Sequence, residues 1–295
     1  MAITPGDIYV GLDGRGPSGA ALRVHYRDWG GSGTEVVLLH GLSSSSRIWD
    51  MTAPLLARNC RVVAIDQRGH GLTDRPDSEY TFDEVCGDLE ALLAVLGWQR
   101  PVLVGHSWGA GVALQFAVDH PASVRGLVLV DGGMTEISAT LNWEQAERVM
   151  RPPAIDGVPL DRFVGFASTW PHFRDIWSPQ LREMMLSNFL VEDGKVYRRL
   201  TMENHMKVVR AIYDQRPTEL YPKVQAPVLL VPALREPEND QERAWQASRE
   251  RGLEAAQRLL KNSTLTVMED TPHDVPVFRP EHLARAIAEF AGGLA

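Results

Sequence analysis

The stretch Val102-Leu103-Val104-Gly105-His106-Ser107-Trp108-Gly109-Ala110-Gly111 decides how the rest of this chain is read. Apolar residues run straight into Gly-His-Ser-Trp-Gly, and Ala110 to Val118 then carries a helical pattern. This G-x-S-x-G order marks a buried strand that turns sharply into a helix with serine at the apex. Gly105 and Gly109 are expected where a β-carbon would strike the neighbouring strand or helix. Ser107 is expected in a strained backbone conformation that pushes its hydroxyl out of the turn. The helix N-terminus beneath it favours developing negative charge. A plain structural turn could use the same residues, but would not require the strand before it and the helix after it.

Outward from that bend, strands and helices alternate. Ala20 to Trp29 alternates apolar with polar residues, which predicts a half-exposed edge strand. Val36 to Leu39 reads as a buried strand ending in His40-Gly41-Leu42, and Arg61 to Ile65 as another ending in Asp66-Gln67-Arg68-Gly69-His70-Gly71. Thr81 to Leu96 repeats apolar residues at helical spacing, with Gly97 as its C-cap. Val124 to Val130 follows the bend's helix as a strand and ends in Asp131-Gly132-Gly133. From Met134 to Pro222 no buried strand is legible, and amphipathic, proline-punctuated pieces predict a helical insertion. Pro227 to Val231 resumes the strand pattern, Gln241 to Leu260 is a helix, Leu265 to Met268 a last strand and Pro280 to Phe290 a closing helix. Continuously apolar strands between helices predict an α/β fold with a mostly parallel, doubly wound sheet.

Composition narrows the partners. With 295 residues, 44% of them hydrophobic and 23% charged, the chain has material for a large core plus an insertion. The formal net charge of -8 and the lack of a basic run argue against nucleic acid. Cys60 and Cys86 are the only cysteines, too few for a disulfide framework, and they read as buried thiols. Met1 to Asp7 shows neither a basic nor an apolar leader region, and no apolar run approaches membrane-spanning length. A cytoplasmic location and no membrane partner are therefore the expectation. Oligomeric state leaves no mark in the sequence.

His40-Gly41-Leu42, Asp66 to Gly71, Gly105-His106-Ser107-Trp108-Gly109 and Pro272-His273-Asp274, in this order, resemble the α/β-hydrolase superfamily over nearly the whole chain. The resemblance implies a core of residues 1–133 and 223–295 with residues 134–222 as the cap. It also implies the order nucleophile, acid, histidine, with the histidine on the loop after the last strand. His273 is the only one of the nine histidines so placed. His40 and His70 belong to their glycine loops, His106 packs beside the bend, and His25, His120, His172, His205 and His282 are expected on the surface.

A serine hydroxyl is a weak nucleophile until a base takes its proton, and the base needs an acid to fix its tautomer. The usual place for that acid in the superfamily follows Pro227 to Val231, where Glu236 stands in a loop without the familiar glycine and aspartate. A second place, one strand earlier and used by some members, is filled by Asp131. Asp131 is preferred and Glu236 is the second choice, with a turn cap and a solvated loop as the respective structural readings. The resemblance assigns the oxyanion hole to the backbone N–H groups of Leu42 and Trp108. Ser43 to Ser46 could add a hydroxyl nearby. Arg68 and His70 read mainly as a structural brace. Of the cap aromatics Trp143, Phe166, Trp170, Phe173, Trp177 and Phe189, some are expected in the cap's own core and one or two at the pocket mouth.

The expected function is cleavage of a carboxylic ester or lactone through an acyl-enzyme, without metal or organic cofactor. The substrate is expected to be a bulky apolar or aromatic small molecule, macrocyclic lactones included. Serine at the bend separates the chain from related dehalogenases and epoxide hydrolases, which place aspartate there. Two other readings use the same residues: a lyase or perhydrolase-like enzyme, and a ligand receptor on a hydrolase fold.

Overall fold

The computed structural model describes residues 4–294, so Met1 to Ile3 of the leader reading lie outside it. The strands are β1 (Gly6–Leu12), β2 (Leu22–Gly30), β3 (Thr34–Leu39), β4 (Cys60–Ile65), β5 (Val102–His106) and β6 (Gly126–Val130), then β7 (Val158–Pro159), β8 (Phe189–Glu192), β9 (Lys195–Arg198), β10 (Val228–Val231) and β11 (Ser263–Leu265). Eight of them form one sheet in the order β1-β2-β4-β3-β5-β6-β10-β11. Pairing is parallel from β4 to β11 and antiparallel at β1–β2 and β2–β4.

The central strands are valine and leucine almost throughout because helices cover both sheet faces. Every residue of β5, β6 and β10 is buried. Each buried valine or leucine side chain there contributes about 1.5–3 kcal/mol over leaving it in water. The longer helices are α1 (Phe82–Leu96), α2 (Trp108–Asp119), α3 (Trp143–Met150), α4 (Leu160–Ala167), α5 (Pro179–Ser187), α6 (Met202–Asp214), α7 (Asp240–Leu259) and α8 (Pro280–Gly292). In α1, the Thr81 hydroxyl accepts from the Glu84 N–H at 3.3 Å, and Gly97 closes the helix at φ 69°.

Three expectations need correcting. β2 is not an edge strand: β1, which its mixed sequence concealed, lies outside it. The polar residues of β2 are buried because acids meet them, His25 donating to Asp66 at 2.7 Å and Arg27 pairing with Asp7 and Asp50. His25 is thus no surface residue, and neither is His205 on α6. The stretch 134–222 is not all helix, since β7, β9 and β8 form a small antiparallel sheet beside α3 to α6. Strands this short and half-exposed carry no legible apolar run. Cys60 and Cys86 are buried and unbridged. Among the described residues no helix is long and apolar enough to cross a membrane.

Candidate active site

Ser107 sits between β5 and α2 at φ 55° and ψ -120°, a conformation that L-residues rarely adopt. The surroundings enforce it. A β-carbon on Gly105 would fall 2.2 Å from the Gly109 oxygen, and one on Gly109 2.5 Å from the Leu39 oxygen. The Ser107 N–H donates to the Val130 carbonyl at 3.0 Å, which ties the bend to the end of β6. Gly132 passes so close that a β-carbon there would meet the Ser107 oxygen at 2.1 Å.

Asp131 follows β6, itself in the left-handed region at φ 46°. Its side chain is 1% exposed, yet both oxygens are engaged. Oδ2 accepts from His273 Nδ1 at 2.6 Å, and Oδ1 accepts from the Ala233 N–H at 2.8 Å and from the Arg249 guanidinium. Burial alone would raise the Asp131 pKa. The hydrogen bond from His273, the charges of His273 and Arg249 and the Ala233 N–H outweigh burial and hold it below the ordinary carboxylate value.

His273 is reached from the far end of the chain, on the loop between β11 and α8. Its side chain is 54% exposed, so the site opens to solvent. Loss of hydration pulls its pKa down, but its hydrogen bond and attraction to Asp131, helped by Asp274, raise it above the ordinary imidazole value against Arg249. The His106 ring lies 4.8 Å from the His273 ring and its Nε2 donates to the His273 carbonyl at 2.9 Å. Burial, with the nearby His273 charge, lowers His106 to about 4, so this second imidazole stays neutral.

Asp131, Ser107 and His273 therefore converge at the carboxyl ends of β5 and β6. Among the described residues no hydrogen bond joins Ser107 Oγ to His273; such bonds often tighten only when substrate is bound. Glu236 is exposed on the loop after β10 and has no hydrogen bond among the described residues.

The loop after β3 lies against Ser107: a β-carbon on Gly41 would stand 2.9 Å from the Ser107 β-carbon. The Leu42 and Trp108 N–H groups make no hydrogen bond among the described residues, which leaves both free for a ligand. Two neutral imidazoles hold this loop. His40 Nδ1 donates to the Gly41 carbonyl at 2.7 Å while Nε2 accepts from the Gln67 N–H at 3.0 Å. His70 Nδ1 donates to the Arg68 carbonyl at 2.9 Å while Nε2 accepts from the Ser43 N–H at 3.2 Å. Burial lowers His70 to about 3, which keeps Nε2 an acceptor. Ser43, at φ 57°, bonds His205 Nδ1 at 3.1 Å and so links this loop to α6. Arg68 is a brace as expected, buried in a two-pronged pair with Asp88 at 2.5 and 2.8 Å.

A cavity of about 610 Å³ opens from Ser43, Ser44 and His70 into the 134–222 segment, walled by Phe163, Phe166, Trp170 and Phe189. Trp143 and Phe173 pack elsewhere, against Tyr213 at 5.3 Å and Phe278 at 5.6 Å, and Trp177 packs against the core. Phe163, Ala233, His205 and Arg249 escaped the sequence reading. Only Phe163 carried a signal, its place in an aromatic-rich helix.

Curated relatives match this chain over part of their length. A fluoroacetate dehalogenase of Burkholderia sp is 38% identical over 107 residues, covering 35% of this chain and 35% of that protein. A 2-(acetamidomethylene)succinate hydrolase of Mesorhizobium japonicum is 35% identical over 101 residues, covering 34% and 36%. The matches thus span about a third of these relatives. The crystal structure of an E-2-(acetamidomethylene)succinate hydrolase aligns with a TM-score of 0.74 at 21% identity, over 98% of this chain and 100% of that one. That of an enol-lactonase from Burkholderia xenovorans aligns with a TM-score of 0.70 at 19% identity, over 97% and 100%. At such identities the likeness shows a shared fold. Residues 36–286 match the model of the alpha/beta hydrolase family, and with this sheet order and this bend at Ser107 the chain belongs to that family.

Proposed function

We propose that the protein cleaves a carboxylic ester or lactone through an acyl-enzyme, with Ser107 as nucleophile, His273 as base and Asp131 as the acid that orients it. The hydrogen bond of 2.6 Å from His273 Nδ1 to Asp131 carries this reading, because it leaves Nε2 unprotonated and able to take a proton from Ser107. Ser107 Oγ adds to the substrate carbonyl as its proton passes to Nε2, and the oxyanion is received by the Leu42 and Trp108 N–H groups. Collapse expels the alkoxide, which takes the proton from His273 and leaves as the alcohol. Water, deprotonated by His273, then releases the acid and restores Ser107. Cytoplasmic residence and action without a cofactor accompany this reading.

Relatives named as a dehalogenase and an epoxide hydrolase show that the fold does not choose the reaction. Serine at position 107 supports acyl transfer, since the superfamily resemblance implies aspartate at that place in dehalogenases and epoxide hydrolases. The aromatic cavity of about 610 Å³ beside the Leu42 loop favours a bulky apolar acyl or alcohol group. The test is a fluorophosphonate probe with a p-nitrophenyl ester panel. Wild type should add one probe at Ser107 and hydrolyse esters, whereas Ser107→Ala should do neither while keeping its circular dichroism. Unchanged turnover by Ser107→Ala would overturn the mechanism.

A further inference from the structure

Asp131 is a buried carboxylate served by only one imidazole, yet it has a second cationic partner. Arg249 reaches from α7 to place its Nη2 on Asp131 Oδ1 and on the Ala233 carbonyl, the latter at 2.8 Å. Ala233 also returns its own N–H to the same Oδ1 at 2.8 Å. The end of β10 and one arginine thus form a clamp around Oδ1, and Oδ2 is left to His273 alone. Arg249 is 24% exposed at its side chain and lines a cavity of only about 20 Å³ with Asp131, Gly132 and Glu250. That space is too small for a substrate, so Arg249 works on the carboxylate from behind.

We propose that Arg249 is a positioning residue for the Asp131–His273 pair, fixing the carboxylate rotamer through Oδ1 so that Oδ2 meets His273. This rests on the serine-hydrolase reading for its effect on rate, but its effect on His273 does not. The charged and titratable groups facing the pair are Arg249 from α7, His106 from β5 and Asp274 from the His273 loop, with Glu250 beside Arg249. His106 stays neutral, and Asp274 favours imidazolium. Arg249 is the one cation in this set that opposes imidazolium. Without it, Asp131 would bind the His273 proton more strongly, and the Ala233 N–H alone would hold Oδ1.

The experiment follows the imidazole directly. His273 is titrated by NMR in wild type, Arg249→Met and Arg249→Lys, its resonance identified by loss in His273→Gln. The midpoint should rise by about one pH unit in Arg249→Met and return toward wild type in Arg249→Lys. With an ester substrate the acid limb of kcat/KM should move by the same amount. The kcat should fall about 10- to 100-fold in Arg249→Met with KM nearly unchanged. If Arg249→Met does not fold, Arg249→Gln takes its place in both measurements. Equal midpoints in wild type and the uncharged variant overturn the inference. Absence of Ser107 labelling in wild type would instead overturn the serine-hydrolase reading and leave the titration result standing.

Discussion

His273 Nδ1 and Asp131 Oδ2 meet at 2.6 Å although 142 residues of chain separate them. Asp131→Asn should therefore be nearly dead, with kcat down by about 10³- to 10⁴-fold, because an amide at this position stabilises the wrong tautomer of the imidazole. Glu236→Gln, on an exposed loop, should stay within about twofold of wild type. Steady-state kinetics on one ester compares the two. A silent Asp131→Asn beside an inactive Glu236→Gln would move the acid to the other loop.

The same pair sets a pH signature. His273 must be neutral to accept a proton, and its pKa lies above the ordinary value near 6.5, so the acid limb of kcat/KM should fall above pH 6.5. For stability the two partners act in opposite directions. The raised His273 pKa contributes stability that is fully present below the unfolded value and is lost as pH rises through the folded one. The depressed Asp131 pKa contributes stability present above the unfolded carboxylate value and lost as pH falls through the folded one. Melting curves of wild type and His273→Gln should differ most between the ordinary carboxylate value and pH 6.5 and draw together at alkaline pH. A difference that grows toward alkaline pH would contradict the pairing.

Gly132→Ala tests the support beneath the bend. The added methyl would start 2.1 Å from the Ser107 carbonyl oxygen and 2.6 Å from the Ser107 carbonyl carbon and Cα, all of it backbone that cannot rotate away. A loss of several kcal/mol in urea unfolding is expected, or an insoluble product. Gly165→Ala, whose β-carbon meets nothing within 4 Å, is the matched control and should be neutral or slightly stabilising.

Two phenylalanines of α4 separate binding from folding. Phe163 is 6% exposed and Phe166 64% exposed, yet both wall the cavity. Phe163→Ala should cost about 3–5 kcal/mol of stability. Phe166→Ala should leave the melting temperature within about a degree and raise KM for long-chain or aromatic esters more than for acetate. Equal effects on both ester classes would place the substrate elsewhere.

Most of the fold was legible because its information is local. Strands β3 to β6 and β10 are contiguous apolar runs, and the bend at Ser107 declares itself through Gly105 and Gly109, whose absent side chains make room for backbone. The superfamily resemblance singles out His273 by its place along the chain, and the structure sets that ring against Asp131. What escaped depends on partners distant in sequence. β1 is half-exposed and mixed, and β2 looked like an edge because burial of His25 and Arg27 depends on Asp7, Asp50 and Asp66. Arg249 sits in a helix full of exposed charge, and only its meeting with Asp131 distinguishes it from Arg243.

Ser107 and Asp131 both occupy positive-φ backbone at the ends of adjacent strands. Such conformations cost about 1–3 kcal/mol each in an L-residue, and glycine is nearly free of that penalty. At Asp131 the bonds to His273, Ala233 and Arg249 offset that penalty, whereas the Ser107 side chain makes no hydrogen bond among the described residues. A screen for heat-hardened variants run without an activity filter should therefore lose the serine early and keep the aspartate.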